Sequence, residues 1–204
     1  MKKKENNYKE YVPRDVSWMY FNRRILQEAE KTNVPLLERL SFLGIYSNNL
    51  DEFFRVRVAL LNRIAECDDK ETRTERHEAI DTLKVINKLN AQYSKEYEEA
   101  IKQVENELRK ENIFILNDQE LDEPQHEFVR NFYYQQLDGF IAPVWFSALK
   151  DLTTQPDDCI YMAVKMRRDS DKSHPEYALL QLPISLVGRF VQLPENDGKS
   201  YIMY

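Results

Sequence analysis

The strongest constraint on the fold is the segment from residue 36 to residue 61, which reads LLERLSFLGIYSNNLDEFFRVRVALL. At about 100° per residue its large apolar side chains fill one broad arc, which is typical of a long helix with a buried face. The arc holds Leu50, Phe53, Phe54, Val56, Val58, Leu60, Leu61 and Ile64. Arg57 falls near the middle of this arc. A buried guanidinium needs a carboxylate, backbone carbonyls or a ligand anion beside it, and an internal ion pair is the favoured partner because buried charges are usually paired.

The residues on either side of this segment predict further helices. A short helix is expected to begin at a Ser17 cap and to end near Asn33. A polar connection is expected over residues 66–74. Apolar residues then recur at spacings of three and four over residues 80–108, which predicts an amphipathic helix of about 30 residues. We expect it to pack antiparallel against the helix over 36–65.

Asn49 allows two interpretations. The long helix, for which Pro35 suits the first turn, either continues through Ser47-Asn48-Asn49 or restarts there, with Asn49 as a cap and Glu52 as its acidic partner. In a continuous helix Asn49 would lie at the edge of the apolar arc. Its carboxamide carries a donor and an acceptor, which match the paired donor and acceptor on an adenine edge, and the neighbouring Phe53 would offer a stacking face. Spacing alone favours the cap.

The pattern changes near residue 112. A helix is expected over 124–138, and strand-like segments follow at 159–166, 177–183, 188–194 and 200–204. The predicted fold class is therefore α+β: an N-terminal all-α antiparallel bundle of long helices, followed by a partial α+β domain. A boundary near residue 110 gives domains 1–110 and 111–204. The final strand-like run carries no terminating signal, which is typical of a fragment.

Charge and glycine content exclude several classes of site. The chain has a net charge of −6. Residues 1–66 carry 12 basic and 9 acidic side chains, and the remainder carries 17 and 26. An acidic protein of this kind is not expected to bind nucleic acid through its overall field. The four glycines are isolated from one another, so no glycine-rich phosphate loop is present.

The sequence contains no self-sufficient active site. His77, His126 and His174 are far apart, and each stands in a polar setting that predicts a surface histidine. No zinc-protease, paired-cysteine or serine-hydrolase motif is present. The two cysteines have no metal-ligand spacing and are expected to be reduced thiols of a cytoplasmic protein. No run of 18 apolar residues exists that could span a membrane.

Three stretches resemble the start of bacterial polyphosphate kinases. They are RDVSWMYFNRRILQEA (14–29), VPLLERLSFLGIYSNNLDEFFRVRVALL (34–61) and, more loosely, NIFILND (112–118). The resemblance is long and specific over residues 11–66, and it continues through the strands near 160–193. It covers nearly the whole chain but only the first part of that enzyme.

The resemblance implies a function and a set of partners. The family transfers the terminal phosphate of ATP reversibly to polyphosphate through a phosphohistidine. It has a helical domain, a head domain and two phospholipase-D-like domains. Residues 1–110 would match the helical domain, and residues 111–204 would match the first part of the head domain. The resemblance also implies a homodimer built through the head domain, and peripheral association with the inner membrane in some members.

The resemblance also assigns individual residues. The second asparagine of the S-N-N-L-D-E-F motif, here Asn49, would contact the ATP base. Phe53, which its position near Asn49 suggests rather than the resemblance, would line the same cleft. Arg57 would either brace the helices or direct positive charge toward that cleft. The nucleophilic histidine and the residues that bind Mg²⁺ would lie beyond residue 204, so the fragment alone is expected to be inactive. The alternative is a helical dimerisation or interaction module with no nucleotide role.

Overall fold

A computed structural model describes residues 11–67, 72–149, 151, 155–156, 159–169 and 171–204, without the side chains of residues 171 and 172. The chain separates into two compact units that divide between Glu111 and Asn112. In the described ranges the first unit is helical and the second combines helices with two small sheets. The predicted fold class, an all-α part followed by an α+β part, is confirmed. No described helix is both long and apolar enough to cross a membrane.

Residues 11–67 and 72–111 of the first unit form four α-helices and one π turn. They are α1 (Arg14–Glu30), α2 (Leu36–Phe53), the π turn (Phe54–Val58), α3 (Ala59–Glu66) and α4 (Arg73–Lys110). Residues 36–66 are helical throughout, so α2, the π turn and α3 form one continuous element. Residues 68–71 of the predicted connection lie outside the described residues. Helix α4 has 38 residues and is longer than predicted, because its polar first turns from Arg73 are helical too.

The two helix caps that the sequence suggested, Ser17 and Asn49, are both wrong. Ser17 lies inside the first turn of α1, where its backbone N–H donates to the Pro13 carbonyl oxygen at 2.9 Å. Pro13 precedes the helix with φ −51° and has no N–H of its own to satisfy, so the helix begins earlier than Ser17. Asn49 lies within α2. In the middle of a helix the backbone amides are already bonded to carbonyls four residues back, so Asn49 has no orphan amide to cap.

The π turn sets which residues of the long element are buried. In α2 the buried positions are Arg39, Leu43, Tyr46 and Phe53. In a regular α-helix the next position on this face would be four residues after Phe53, at Arg57. A π turn adds one residue to that interval. The next buried residue is consequently Val58, which is 6% exposed, and Leu61 follows at 8%.

The same change divides the predicted apolar arc. Val56 and Leu60 were expected on the buried face but are 53% and 41% exposed. Arg57 moves to the edge of the buried face, where its side chain is 31% exposed. There its Nε and Nη2 donate to Asp15 Oδ1 and Oδ2 at 2.9 and 3.0 Å. The internal ion pair favoured by the sequence is therefore present, as a two-bond fork between α1 and the π turn.

A second arginine connects three helices. Arg39 is 1% exposed. Its Nε donates to the Ala29 carbonyl oxygen at 2.7 Å, and its Nη1 donates to Glu107 Oε2 at 2.6 Å. At the opposite end of α4, Arg76 Nε donates to the Ala65 carbonyl oxygen at 2.9 Å. The start of α2 therefore meets the end of α4 while the end of α3 meets its start, which is the predicted antiparallel packing.

Where the second unit is described, its strands form two three-stranded sheets. Its strands are β1 (Ile113–Leu116), β2 (Val144–Trp145), β3 (Tyr161–Arg168), β4 (Asp171–Gln181), β5 (Val191–Asn196) and β6 (Lys199–Met203), and its helices are α5 (Glu123–Phe132) and α6 (Ile184–Val187). One sheet has the order β1-β6-β5, with β1 parallel to β6 and β5 antiparallel to it. The other is antiparallel, in the order β2-β4-β3. Asp197 and Gly198 join β5 to β6 with φ 50° and 70°, the positive values that a tight two-residue hairpin requires.

Replacing Arg57 with Met is expected to lower the free energy of unfolding by about 2 kcal/mol, because a carboxylate at a largely buried position loses its main partner. The Asp15 side chain is 12% exposed. Urea denaturation followed by circular dichroism measures the loss. The matched control is Arg55→Met, since Arg55 pairs with Asp51 at 2.9 Å and both side chains are about 60% exposed. That change should stay within about 0.5 kcal/mol, and equal losses for the two variants would contradict the account.

Tyr46→Phe is expected to raise the free energy of unfolding by about 1 kcal/mol at pH 7, because it removes a buried hydroxyl that has no hydrogen-bond partner among the described residues. Burial, reinforced by the charge of Glu96, raises the pKa of Tyr46 to about 12. An unfolded tyrosine ionises near pH 10. The unfolded state therefore loses this proton first, and Tyr46 reduces stability as pH rises from about 10 to 12.

The Tyr46→Phe variant should accordingly lose less stability over that alkaline interval than the parent protein, as measured by urea denaturation at a series of pH values. Tyr11, which is 83% exposed, provides the control. Tyr11→Phe should leave the free energy of unfolding at pH 7 unchanged. A Tyr46→Phe variant that is less stable at pH 7 and equally sensitive to alkali would contradict the prediction.

Candidate functional site

Three of the contacts between α1 and the long element formed by α2 and the π turn follow one another along the two helices. In antiparallel order they are the Asp15–Arg57 ion pair, the stack of the Trp18 and Phe53 rings at 4.0 Å between centroids, and the hydrogen bond from Asn49 Nδ2 to Asn22 Oδ1 at 3.2 Å. We call these three contacts the α1–α2 ladder. Successive members are about one helical turn apart on each helix, so a continuous α2 that passes through Asn49 is needed to form them.

An open cleft lies beside this ladder. Its volume is about 340 Å³. The lining residues are Trp18, Phe21, Asn49, Glu52, Phe53, Val56 and Arg57. The three residues that the sequence analysis singled out, Asn49, Phe53 and Arg57, are thus brought together in one wall. We call this space the α1–α2 cleft.

Asn49 is half-buried and keeps part of its hydrogen-bonding capacity. One hydrogen of its Nδ2 is donated to Asn22 Oδ1. Asn22 is 1% exposed, and its own Nδ2 donates to the Tyr46 carbonyl oxygen at 3.1 Å. No described residue donates to Asn49 Oδ1 or accepts its second Nδ2 hydrogen. The side chain therefore presents an acceptor and a donor while it lines the open cleft.

Phe53 is too buried to offer an open ring face for stacking on a ligand. It is 3% exposed, and its ring lies parallel to Trp18 with an interplanar angle of 1°. One face of the ring is therefore already covered. Phe21 also lines the cleft, and it is 56% exposed. Among the aromatic residues of the wall, Phe21 presents the most exposed ring.

Arg57 is held by the Asp15 carboxylate and still forms part of the cleft wall. The fork uses Nε and one terminal nitrogen, so the plane of the guanidinium is fixed. The positive charge of Arg57 is balanced locally by Asp15, while Glu52 adds a carboxylate to the same wall. The wall therefore carries no net positive field, and a neutral ring matches it better than a phosphate group does.

Sequence reasoning missed Asn22, although a signal was present. The buried residues of α1 recur at helical spacings as Asp15, Val16, Met19, Asn22, Leu26 and Ala29. Asn22 therefore falls on the apolar face between Met19 and Leu26. Because a buried carboxamide is almost always hydrogen-bonded, this position should have predicted a polar partner on the neighbouring helix.

A polar cluster outside the cleft joins α1 to α4. Arg23 Nε donates to Glu96 Oε2 at 2.7 Å, and this bond raises the pKa of Arg23. Burial raises the pKa of Glu30 and also that of Tyr93, which is 3% exposed. The Arg23 guanidinium also lies 5.5 Å from the centre of the Tyr93 ring. These contacts link two helices, and none of the residues that make them lines the α1–α2 cleft.

The histidines lie apart from the cleft. His77, His126 and His174 are exposed, in agreement with the sequence analysis, and none of them lines the cleft. Across the part of the chain that the structure describes, no three side chains of histidine, cysteine, aspartate or glutamate are grouped so that they could hold a metal ion. We assign no metal ligand in this part of the chain.

Two family models match the chain. The polyphosphate kinase N-terminal domain matches residues 11–116, and the polyphosphate kinase middle domain matches residues 124–204. The first match includes every helix that contributes to the α1–α2 cleft. The second match includes α5 from its second residue onward and the strands β2 to β6.

Curated relatives agree with these matches. The polyphosphate kinase of Vibrio parahaemolyticus is 36% identical in a match that covers 93% of this chain and 27% of that protein. The polyphosphate kinase of Escherichia coli strain K12 is 36% identical in a match that covers 90% of this chain and 26% of that protein. The chain thus spans about a quarter of the length of these relatives.

A solved structure supports the same assignment. The crystal structure of polyphosphate kinase from Porphyromonas gingivalis matches with a TM-score of 0.78 and 25% identity. The match covers 95% of this chain and 28% of that one. With two family models that together extend over most of its length, this chain belongs to the polyphosphate kinase family.

Proposed function

We propose that this chain supplies the ATP base contact and part of the assembly surface of an enzyme that transfers the terminal phosphate of ATP reversibly to polyphosphate through a phosphohistidine. In this proposal residues 1–110 form the helical domain that carries the base contact. Residues 111–204 form the first part of a head domain through which the enzyme dimerises. In this proposal the catalytic histidine and the Mg²⁺ ligands belong to other regions of the enzyme. The full enzyme acts in the cytoplasm.

The observation that carries this proposal is that Asn49 lines an open cleft with its Oδ1 and one Nδ2 hydrogen not bonded to any described residue. Adenine presents an amino donor beside a ring-nitrogen acceptor, and a carboxamide pairs with both. The cleft volume of about 340 Å³ falls within the range of small-molecule pockets, roughly 300–1,000 Å³. A cleft without net positive field is also suited to a base, while the phosphates extend toward other parts of the enzyme.

Phe21 is the aromatic side chain that we propose for stacking on the base. Its ring is exposed at the cleft, whereas one face of Phe53 is covered by Trp18. Aromatic stacking of a base contributes about 1–3 kcal/mol by alanine substitution. Phe53 instead packs against Trp18 within the wall. Arg57 fixes the position of α1 beside the wall through its two hydrogen bonds to Asp15.

Asn49→Ala is expected to raise the Michaelis constant for ATP by about 5- to 150-fold, because a bidentate base contact contributes roughly 1–3 kcal/mol. The measurement is made on the full-length enzyme that contains these residues. Asn48→Ala is the matched control, since Asn48 is exposed and does not line the cleft. Its Michaelis constant should equal that of the parent enzyme.

Thermal unfolding of both variants separates a base contact from a structural effect. Asn49→Ala should lower the melting temperature relative to Asn48→Ala only by the loss of one hydrogen bond to Asn22, and the enzyme should stay folded under the assay conditions. Equal Michaelis constants for the parent enzyme and Asn49→Ala would leave a helical interaction module without a nucleotide role as the function of this region.

A further inference from the structure

Asn22 does not line the cleft, but it is hydrogen-bonded to Asn49, which does. It is 1% exposed and lies between the Tyr46 carbonyl oxygen and the Asn49 carboxamide. We propose that Asn22 is a positioning residue that fixes which end of the Asn49 carboxamide faces the cleft, and that it thereby makes the site select adenine over guanine. This inference rests on the proposed base contact of Asn49.

The direction of the hydrogen-bond chain is set by a group that cannot reverse. A backbone carbonyl oxygen only accepts, so the NH₂ end of Asn22 must face Tyr46, at 3.1 Å. The Oδ1 end of Asn22 then faces Asn49, and because that oxygen also only accepts, Asn49 must present its NH₂ end to it, at 3.2 Å. Oδ1 of Asn49 is consequently directed away from Asn22. Reversing either amide would place two acceptors or two donors against each other.

A carboxamide of fixed direction distinguishes the two purines. Adenine places an amino donor where guanine has a carbonyl oxygen. With Oδ1 of Asn49 outward, the amino group of adenine finds an acceptor, whereas the O6 atom of guanine meets another acceptor. A carboxamide that is free to rotate would instead donate Nδ2–H to O6 and accept from the neighbouring ring N–H of guanine. Asn49 alone is therefore permissive, and its fixed orientation makes it selective.

The arrangement also explains why a carboxamide occupies a buried position of α1. An apolar residue at position 22 would pack between Met19 and Leu26 without the requirement for polar partners. Asn22 instead satisfies one donor and one acceptor on two different residues of α2. It is hydrogen-bonded to Asn49 but is not itself among the residues of the cleft wall.

The test compares ATP and GTP in the full-length enzyme. The Michaelis constant for ATP and the inhibition constant of GTP against ATP give a GTP-to-ATP ratio, which we expect to be about 5 to 150 in the parent enzyme. Asn22→Leu, an apolar residue of similar size, should bring this ratio to near one. Part of the change should be tighter binding of GTP, which a merely damaged fold would not produce. Asn22→Ala serves the same purpose if the leucine variant does not fold.

A conservative variant and a double variant complete the test. Asn22→Asp keeps an acceptor facing Asn49 and should retain the parental ratio even if it lowers the melting temperature. In an Asn49→Ala background, Asn22→Leu should leave the ratio unchanged, because Asn22 acts through Asn49.

The outcomes separate this inference from the proposed function. If Asn49→Ala abolishes the selectivity while Asn22→Leu or Asn22→Ala retains it, the positioning role of Asn22 is overturned and the base contact stands. If GTP and ATP bind to Asn22→Leu with equal losses and an unchanged ratio, Asn22 has only a structural role. If Asn49→Ala itself leaves the ratio and both constants unchanged, the proposed function fails.

Discussion

The additional residue in the π turn Phe54–Val58 is the constraint on which the first unit depends. A regular helix would carry the buried face from Phe53 to Arg57 and would place a guanidinium in the core at a cost of several kcal/mol. The π turn gives the buried position to Val58 and leaves Arg57 at the edge, within reach of Asp15. Such turns are rare and are often found at functional sites. Here the turn borders the α1–α2 cleft directly, so the core and the cleft have the same geometric origin.

The α1–α2 ladder links the stability of the unit to its proposed function. Its members are an ion pair, an aromatic stack and a hydrogen bond between carboxamides, and they follow one another along the same two helices. The first two hold the walls of the cleft, while the third also orients the side chain that we propose to contact the base. A shift of α2 by one residue would break all three contacts together, because each depends on the same register. The register of two helices therefore determines the chemistry that the cleft can offer.

Much of this arrangement follows from the sequence, and the remainder depends on features that periodicity does not encode. The apolar spacing predicted the long helices and their antiparallel packing, and the arginine within an apolar face predicted a buried ion pair. The partner Asp15 could not be identified, because 42 residues separate it from Arg57 and the pairing depends on how two helices cross.

The π turn was missed because a one-residue insertion changes the phase without changing the composition. Arg39 was missed as well, although its spacing of four from Leu43 places it on the buried stripe of α2. Phe53 lines the cleft, and the covering of its ring could not be predicted because Trp18 comes from another helix.

The most direct test of the central claim, that the Asn49 carboxamide meets a purine in the α1–α2 cleft, is to follow its side-chain amide by nuclear magnetic resonance. Adenosine is titrated into the ¹⁵N-labelled 204-residue chain, with the adjacent Asn48 as an internal reference. The account predicts that the Nδ2 resonances of Asn49 shift in a saturable manner while those of Asn48 do not. Adenosine binding that leaves the Asn49 resonances in place, or that moves both asparagines equally, would contradict it.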